Sequence, residues 1–387
     1  MFNINQLNKI SSLGIKKLDK ELFCCDGTSN EPDGILVRSA SLHEMELPAC
    51  LKAIARAGAG VNNIPIDKCS EAGIVVFNTP GANANAVKEL VITSLFLTSR
   101  KIIAGIDWAK TLKGKGVEVA KLVEKGKSEF AGPEIKEKKL GVIGLGAIGV
   151  MVANAAYHLG MDVYGFDPFI SVDSAWGLSR FVHKSKSNND IFENCDYITI
   201  HIPLNDETKA IINSTSIATM KKGVRILNFS RGGLVNNDDI INALEQGKVG
   251  CYITDFPADE LLDVKNLIAI PHLGASTPES ENNCAVMACD QISDFLINGN
   301  IKNSVNFPNV ELAPSEKKRL SIIHKNIPNM LSQISFVLGN EGVNIEDMLN
   351  KSKGPFAYTL IDIESDIPDN TLDKLNSIEG VIKVRVI

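Results

Sequence analysis

The sequence lacks any apolar run long enough to cross a bilayer. Its longest apolar stretch, around residues 90–97, is far shorter than the roughly 20 residues that a membrane helix needs. The first residues, MFNINQLNKISS, lack a charged head followed by an apolar core, so we expect no signal peptide. Both absences favour a cytoplasmic protein without a membrane partner.

Closely spaced cysteines and an excess of positive charge are also missing. The 8 cysteines are scattered without a CxxC pair, so we predict neither a metal site nor a disulfide framework. The 387 residues carry a net charge of −6, which excludes the basic surface typical of nucleic-acid binding. A chain of this length is expected to form two or three domains.

A glycine turn between two apolar strands is the most informative segment that is present. Leu140–Ile143 and Asp162–Phe166 are predicted strands, and between them GLGAIG (144–149) opens an amphipathic helix that Gly160 closes. Asp167 follows the second strand, 167 − 149 = 18 residues after the last glycine of the turn. Strand, glycine turn, helix, strand and acid form the dinucleotide-binding fingerprint.

Each part of this fingerprint has a physical role. Gly144 permits the tight turn, Gly146 leaves space where a pyrophosphate approaches the backbone, and Gly149 lets the helix pack closely on the sheet. The free N–H groups of the helix start then face the phosphates. The Asp167 carboxylate is placed for the adenosine ribose and would repel a 2′-phosphate, so NAD is favoured over NADP. The alternative is a structural glycine turn.

Strand and helix patterns alternate through most of the chain, which predicts an α/β fold with parallel sheets. Before the glycine turn, strands are predicted at 33–38, 51–56 and 74–77, and a long helix at 85–100. After it, strands at 197–201, 224–229, 249–254 and 267–270 complete six strands of a dinucleotide-binding domain. Polar and glycine residues follow these strands. They either contact a ligand or belong to ordinary βα turns, which favour the same residue types.

The connecting and final segments predict further organisation. Residues 101–137 are predicted to form a helix and a lysine-rich connection, which is either a solvated face or a phosphate-steering surface. A helix is predicted at 286–296 and a linker at 308–314. Residues 317–387 then show a β-α-β-β-α-β order, with strands at 319–324, 343–348, 357–363 and 381–387 and helices at 330–338 and 369–377, the ferredoxin-like arrangement.

Three residues near predicted strand ends can carry hydride-transfer chemistry. A hydride leaves a C–H bond only if the hydroxyl proton also leaves, and His272 is the candidate base. Glu260 is the candidate acid that orients this base, and Arg231 can bind a substrate anion and polarise its carbonyl through two donors. The structural alternatives are an ion pair for Arg231, a strand-end contact for His272 and a surface charge for Glu260.

The motifs SRGGLV (230–235) and PHLGAST (271–277), together with GLGAIG, resemble those of the D-isomer-specific 2-hydroxyacid dehydrogenases. The resemblance extends to RSA (38–40), ARAGAGVNNIPID (55–67), VNFP (305–308) and a tail similar to an ACT domain. It is closest to members that oxidise D-3-phosphoglycerate with NAD at the entry to L-serine synthesis. It implies that Arg231 binds the substrate and that His272 and Glu260 form the acid–base pair.

The same resemblance implies the fold, the domains and the remaining contacts. We expect two Rossmann-like parallel-sheet domains, 1–98 with 288–308 for the substrate and 99–287 for NAD, followed by a small ferredoxin-like ACT domain at 315–387. The implied NAD contacts are Gly144, Gly146, Ala147, Ile148, Gly149, Asp167, His201, Pro203, Phe229, Ser230, Asp255 and Gly274. The implied substrate contacts are Arg38, which would face the phosphate or carboxylate, Ser39, Ala59, Gly60 and Asn83.

Two departures from the family pattern leave alternatives open. The family usually has D-V-F-x-x-E-P, whereas residues 255–261 are DFPADEL. If the family pattern is aligned on Asp255, Glu260 takes the catalytic position; if it is aligned on Phe256-Pro257, Asp259 takes it. We prefer Glu260, because the length of its side chain suits a histidine one strand away. The second departure is Asn329, which stands where ACT domains usually have glycine.

The ACT-like tail implies an effector site and an assembly. ACT domains of this family bind L-serine at positions resembling His324, Asn326 and, across an interface, Asn344. The Asn329 side chain could obstruct a ligand lying close to the backbone, so weaker binding is expected. The alternative is a dimerisation module without a ligand, and in both cases we expect a homo-oligomer, either a dimer or a tetramer.

Two rival functions also stay open. One is the same chemistry on another 2-hydroxy acid, such as glycerate or lactate. The other is an NAD-binding sensor or co-repressor that uses its tail as a switch. The intact Arg231 and His272 set and the acidic net charge argue against this second rival.

Overall fold

The chain forms two compact units. The computed structural model describes residues 1–25, 29–314, 317–364, 367–368 and 370–387. Unit 1 comprises Met1–Asn83 and Pro278–Ile387, and unit 2 comprises Ala84–Thr277. The predicted division into three domains stays a prediction.

Unit 1 begins with a parallel sheet. Its elements in chain order are β1 (Phe2–Gln6), α1 (Ser12–Ile15), β2 (Phe23–Cys24), β3 (Gly34–Val37), β4 (Ala53–Arg56), α2 (Ile66–Glu71) and β5 (Val75–Phe77). The strands lie in the order β2-β1-β3-β4-β5. The predicted strands correspond to β3, β4 and β5, whose apolar runs are almost fully buried. The sequence pattern does not predict β1 or β2, because FNINQ has only two apolar residues and β2 has only two residues in all.

Unit 2 contains a seven-stranded sheet in which every pairing is parallel. Its elements are α3 (Ala84–Arg100), α4 (Ile102–Lys110), α5 (Val119–Gly126), β6 (Lys139–Ile143), α6 (Ala147–His158), β7 (Asp162–Phe166), α7 (Val172–Gly177), β8 (His183–Lys184), α8 (Asn188–Asn194), β9 (Tyr197–Ile200), α9 (Ser214–Thr219), β10 (Val224–Asn228), α10 (Asn237–Glu245), β11 (Val249–Thr254) and β12 (Leu267–Ala269). The order is β12-β11-β10-β9-β6-β7-β8. The six predicted strands are all present, and the exposed two-residue strand β8 is the one that apolar patterning misses.

Helices cover this sheet through apolar contacts. Val87, Val91 and Leu95 of α3 pack with Leu140 and Val142 of β6 in one buried cluster. Each such side chain contributes roughly 1.5–3 kcal/mol when it is fully buried. Since α3 runs from Ala84 to Arg100, it crosses the predicted domain boundary at 98/99.

The segment 101–137 contains two α-helices where the sequence predicts one. Neither α4 nor α5 has a buried residue. Lys110 and Lys127 form exposed ion pairs three residues away, with Asp107 and Glu124. These contacts favour the solvated-face alternative for the lysine run.

The last part of unit 1 has the predicted β-α-β-β-α-β order. It follows a long helix, α11 (Pro278–Asn298), and consists of β13 (Lys318–Lys325), α12 (Met330–Asn340), β14 (Ile345–Lys353), β15 (Phe356–Ile363), α13 (Thr371–Asn376) and β16 (Val381–Val386). The strands are antiparallel in the order β14-β15-β13-β16. The predicted helix 369–377 begins at Asp369, which lies outside the described residues.

The C-terminal sheet packs on the end of α11. Tyr358 Oη donates to Gly299 O (2.6 Å), Arg319 Nη1 to Asn298 O (2.9 Å) and Arg385 Nη2 to Leu296 O (3.1 Å). The last carbonyls of a helix have no partner within the helix, so these donors satisfy them. In the predicted linker, Val310 is fully buried and pairs with Ile301. Among the described residues, we find no helix both long and apolar enough to span a bilayer.

Candidate active site

The glycine turn after β6 has the geometry that its sequence predicts. Gly144 has a φ of +91°, and a Cβ there would lie 2.5 Å from the His201 carbonyl oxygen. A Cβ on Gly149 would lie 1.9 Å from the Gly144 carbonyl oxygen. Gly146 is exposed and a Cβ on it would meet nothing within 4 Å. Two of the glycines are therefore required by packing, whereas Gly146 borders open space.

The start of α6 is open to an anion. Its N-cap is Gly146, which has no side chain to cap the first N–H groups of the helix. The next two residues are accessible, since Ala147 is exposed and Ile148 is half-buried. The first N–H groups of a helix lack intrahelical partners and stand at the positive end of its dipole. This end of the helix fits a pyrophosphate.

Asp167 is fixed beside the glycine turn at the end of β7. Its Oδ2 accepts the Leu145 N–H (2.8 Å) and its Oδ1 accepts the Phe169 N–H (2.8 Å). Each carboxylate oxygen has a second acceptor site. The side chain is therefore oriented by the main chain and can still accept hydrogen bonds from ribose hydroxyls.

β9 lies next to β6 in the sheet, and β10 lies next to β9. The His201 Nε2 contacts Thr199 Oγ1 (2.9 Å), and its buried Nδ1 has no partner among the described residues. Burial lowers the pKa of His201 to about 3, so the ring is neutral. Phe229 is buried, Pro203 is exposed, and the Ser230 hydroxyl donates to Ile200 O (2.7 Å).

Asp255 is a buried carboxylate at the end of β11. Its Oδ2 accepts the Gly274 N–H (3.2 Å), and its buried Oδ1 has no partner in the described part of the chain. Burial raises the pKa of Asp255, and the Gly274 N–H and the nearby charges of His272 and Arg231 oppose this rise. An unpartnered buried acceptor fits an amide N–H donor of a ligand, as the carboxamide of NAD provides.

The same aspartate holds the predicted base. The His272 N–H donates to the Asp255 carbonyl oxygen (3.0 Å), and the His272 ring lies 5.0 Å from the Phe256 ring between centroids. His272 is exposed and has a φ of +23°, which a non-glycine residue adopts only under strain. The fold thus presents this imidazole to solvent on a fixed main chain.

Arg231 is exposed at the end of β10, and its Nη1 donates to Ser230 O (2.7 Å). The turn that carries it is held by Asn228, which is fully buried. The Asn228 Nδ2 donates to Arg231 O (2.9 Å), and its Oδ1 accepts the Ser230 N–H (3.2 Å). The sequence alone does not single out Asn228, because a lone asparagine at a strand end is also typical of an ordinary turn.

Glu260 lies in the short 3₁₀ turn Asp259–Leu261, which the buried Leu261 anchors. Its Oε1 accepts a hydrogen bond from Asn237 Nδ2 (2.7 Å), which lowers the pKa of Glu260. Of the histidines that the structure describes, His183 is the one whose ring contacts a carboxylate, with Nε2 3.0 Å from Asp162 Oδ1. The structure does not bring Glu260 or Asp259 into an ion pair with His272, and the choice between the two acids stays a prediction.

The predicted substrate residues follow strands of unit 1. Arg38 and Ser39 follow β3, Ala59 and Gly60 follow β4, and the half-buried Asn83 follows β5. Arg38 Nη2 lies 2.8 Å from Glu281 Oε1, at the start of α11. The Ala59 carbonyl accepts a hydrogen bond from Asn78 Nδ2 (2.6 Å).

The predicted effector residues are engaged within the C-terminal sheet of unit 1. His324 is buried, with Nδ1 2.8 Å from Lys325 O and Nε2 2.9 Å from Thr359 Oγ1. The other contacts are Asn326 Nδ2 to Gly354 O (3.2 Å) and Asn344 Nδ2 to Glu364 Oε2 (2.8 Å). Asn329 has a φ of +70°, so it keeps the left-handed turn that a glycine would favour.

Alanine at two glycines of the turn is expected to separate cofactor binding from stability. Gly146→Ala should leave the unfolding free energy within about 0.5 kcal/mol, since its Cβ meets open space. It should weaken NAD binding about tenfold or more, because the methyl group occupies the space of the pyrophosphate. Gly149→Ala should instead destabilise the protein by about 1–3 kcal/mol through the clash with Gly144. Thermal unfolding and NAD titration measure both effects, and equal behaviour of the two variants would contradict the assignment.

The chain is similar to known dehydrogenases over most of its length. The family model for the D-isomer specific 2-hydroxyacid dehydrogenase, NAD binding domain, matches residues 92–274. The D-3-phosphoglycerate dehydrogenase of Haemophilus influenzae is 31% identical over 340 residues, 85% of this chain and 79% of that protein. The enzyme of the same name from Bacillus subtilis is 32% identical over 332 residues, 80% of this chain, but the chain spans only 59% of its length.

A solved structure extends the similarity to the fold. The NAD⁺-bound 3-phosphoglycerate dehydrogenase of Entamoeba histolytica superposes with a TM-score of 0.61 at 29% identity, covering 79% of this chain and 98% of that one. The glycine turn and the strand-end residues lie within the segment that matches the NAD-binding domain. The resemblance predicted from the motifs is therefore confirmed, with NAD as the cofactor. The chain belongs to the D-isomer-specific 2-hydroxyacid dehydrogenase family.

Proposed function

We propose that this chain oxidises D-3-phosphoglycerate to 3-phosphohydroxypyruvate with NAD, the first step of L-serine synthesis. The observation that carries this proposal is the position of Asp255. Its carbonyl oxygen accepts the His272 N–H, and its carboxylate is close enough to His272 and Arg231 for their charges to oppose the rise of its pKa. A base, a guanidinium and an open helix start therefore lie at one edge of one sheet. The names of the relatives supply the substrate.

The side chains divide the reaction between them. Bound NAD supplies the hydride acceptor. His272 removes the proton of the substrate's C2 hydroxyl, so that this oxygen can form the carbonyl as the C2–H bond breaks. Arg231 binds the carboxylate through two N–H groups and holds C2 in place. The proton and the hydride that leave the substrate in the oxidation therefore each have a defined acceptor.

Glu260 is the acid that we assign to the orientation of His272. Its Oε1 accepts a hydrogen bond from Asn237 Nδ2 (2.7 Å). Catalytic hydrogen bonds are often long or absent in free enzymes and form in the complex. We therefore infer that Glu260 exchanges its contact with Asn237 for one with the imidazole when substrate is bound.

A panel of 2-hydroxy acids tests the substrate. With saturating NAD, we expect kcat/KM for D-3-phosphoglycerate to exceed the values for D-glycerate and D-lactate by at least about tenfold, because a phosphate adds an ionic contact. NADH absorbance measures all three reactions. A phosphate-free acid with the highest kcat/KM would select the rival dehydrogenase, and no NADH from any acid would select the sensor.

We also propose a cytoplasmic homo-oligomer. Ile102, Ile103 and Ile106 on α4 are each 40–51% exposed, and grouped apolar side chains of this kind commonly cover a protein–protein interface. Light scattering after gel filtration should give the mass of a dimer or tetramer. A monomer of 41.8 kDa would contradict this part of the proposal.

L-serine is the effector that the tail would bind, but the existing contacts of His324 would weaken this binding. Both ring nitrogens already have partners, so an effector must displace Thr359 or Lys325 contacts. A serine titration of turnover tests this directly. Inhibition below about 1 mM would support the effector site, and constant turnover would leave the tail with a structural role.

A further inference from the structure

Three successive main-chain N–H groups of unit 1 converge on one side-chain oxygen. The N–H groups of Arg38, Ser39 and Ala40 donate to Asn8 Oδ1 at 3.1, 3.0 and 2.8 Å. Successive N–H groups in such a concave arrangement commonly bind an anion. Here the chain's own neutral amide oxygen occupies the concavity.

The register of the sheet brings Asn8 to this position. In the parallel pair of β1 and β3, Gln6 lies opposite Leu36, and the Leu7 N–H donates to Leu36 O (3.0 Å). Continuing the same register places Asn8 opposite Arg38, where the chain leaves the sheet. Asn8 therefore determines the direction in which the loop after β3 begins.

The side chain of Arg38 is held from a second direction. It pairs with Glu281 (2.8 Å), and the two side chains are 41% and 45% exposed. A guanidinium has five N–H donors, of which one carboxylate can use two, so the others remain available to an anion. The same turn of α11 is bound to the first part of the chain, because Ser11 Oγ donates to Asn282 Oδ1 (2.6 Å).

We propose that Asn8 is a positioning residue for substrate binding: it fixes the main chain from which Arg38 reaches the anionic end of the substrate. This inference rests on the proposed function, because it takes Arg38 as a substrate contact. Asn8 itself touches no substrate. Its loss acts on substrate affinity and leaves the chemistry at His272 unchanged.

The kinetic test compares Asn8→Ala with Asn5→Ala. Asn5 lies on β1, is buried, and bonds to Ser29 rather than to the loop after β3, so it controls for general loosening of the sheet. Asn8→Ala should raise KM for D-3-phosphoglycerate about 10- to 100-fold, as misplacement of a binding group by about 1 Å does. Its kcat and its KM for NAD should stay within about twofold of wild type. Asn5→Ala should lower the melting temperature without this rise in KM.

A second readout is independent of activity. Amide hydrogen exchange of residues 38–40 should lose its protection in Asn8→Ala and keep it in Asn8→Asp, since a carboxylate oxygen can accept the same three N–H groups. An unchanged KM in Asn8→Ala, an equal rise in Asn5→Ala, or unchanged exchange in Asn8→Ala would overturn the inference. If the wild-type protein oxidises no D-3-phosphoglycerate, the proposed function fails, and the exchange experiment still decides whether Asn8 holds the loop.

Discussion

His272→Asn is expected to lower kcat about 10²- to 10⁴-fold, the usual contribution of a general base. Asparagine is similar in size but cannot accept the hydroxyl proton at neutral pH. The contact with Asp255 is made by the main-chain N–H and survives the substitution. NAD affinity should therefore stay within about twofold of wild type. NADH formation and a separate NAD titration measure the two quantities.

The matched control is His183→Asn. His183 is an exposed histidine of the same unit that pairs with Asp162 (3.0 Å) at the far strand of the sheet, and its replacement should leave kcat unchanged. Turnover of His272→Asn within about threefold of wild type would remove the proposed base. Glu260→Gln and Asp259→Asn, compared in the same assay, decide which acid supports it.

Arg231→Lys is expected to reduce kcat/KM about 100-fold, which corresponds to about 2.7 kcal/mol of transition-state stabilisation. Lysine keeps the positive charge but loses the planar pair of donors that can bind a carboxylate. Because Asn228 holds the turn through main-chain atoms, the fold of the turn should be unaffected. Steady-state kinetics with varied D-3-phosphoglycerate measure the effect.

Arg180→Lys provides the control for this charge-conserving change. Arg180 lies over the Phe181 ring, 4.8 Å from its centroid, and has no part in the proposed site. Its replacement should leave kcat/KM within about twofold of wild type. If Arg231→Lys behaves like Arg180→Lys, then Arg231 acts only as a point charge or lies outside the substrate site.

The parts of the fold that sequence predicts are those with continuous buried runs. β6, β9 and β10 are almost wholly buried and most of their residues are apolar, as is typical of a parallel strand covered on both faces. β1 is not predicted because FNINQ offers only two apolar residues, too short a signal to recognise without its pairing with β2 and β3. The exposed pair His183–Lys184 forms β8 through two pairings with the neighbouring strand. Two residues are too few to show a strand periodicity in the sequence.

The same distinction applies to the site. The glycine turn is a local feature, so its strands, helix and acid can be predicted from one segment. The contacts of Glu260 with Asn237 and of Arg38 with Glu281 join positions 23 and 243 residues apart (260 − 237 = 23; 281 − 38 = 243), which a single sequence does not indicate. The burial of His324 likewise depends on its neighbours in the sheet, notably Thr359 on β15.

The most direct test of the account follows the hydrogen on C2 of the substrate. D-3-phosphoglycerate carrying deuterium at C2 is incubated with the protein and NAD, and the reduced cofactor is analysed by mass spectrometry. The account predicts one deuterium in each reduced cofactor molecule from the wild-type protein and a greatly reduced yield from His272→Asn. Reduced cofactor without deuterium, or no reduced cofactor from the wild-type protein, would contradict it.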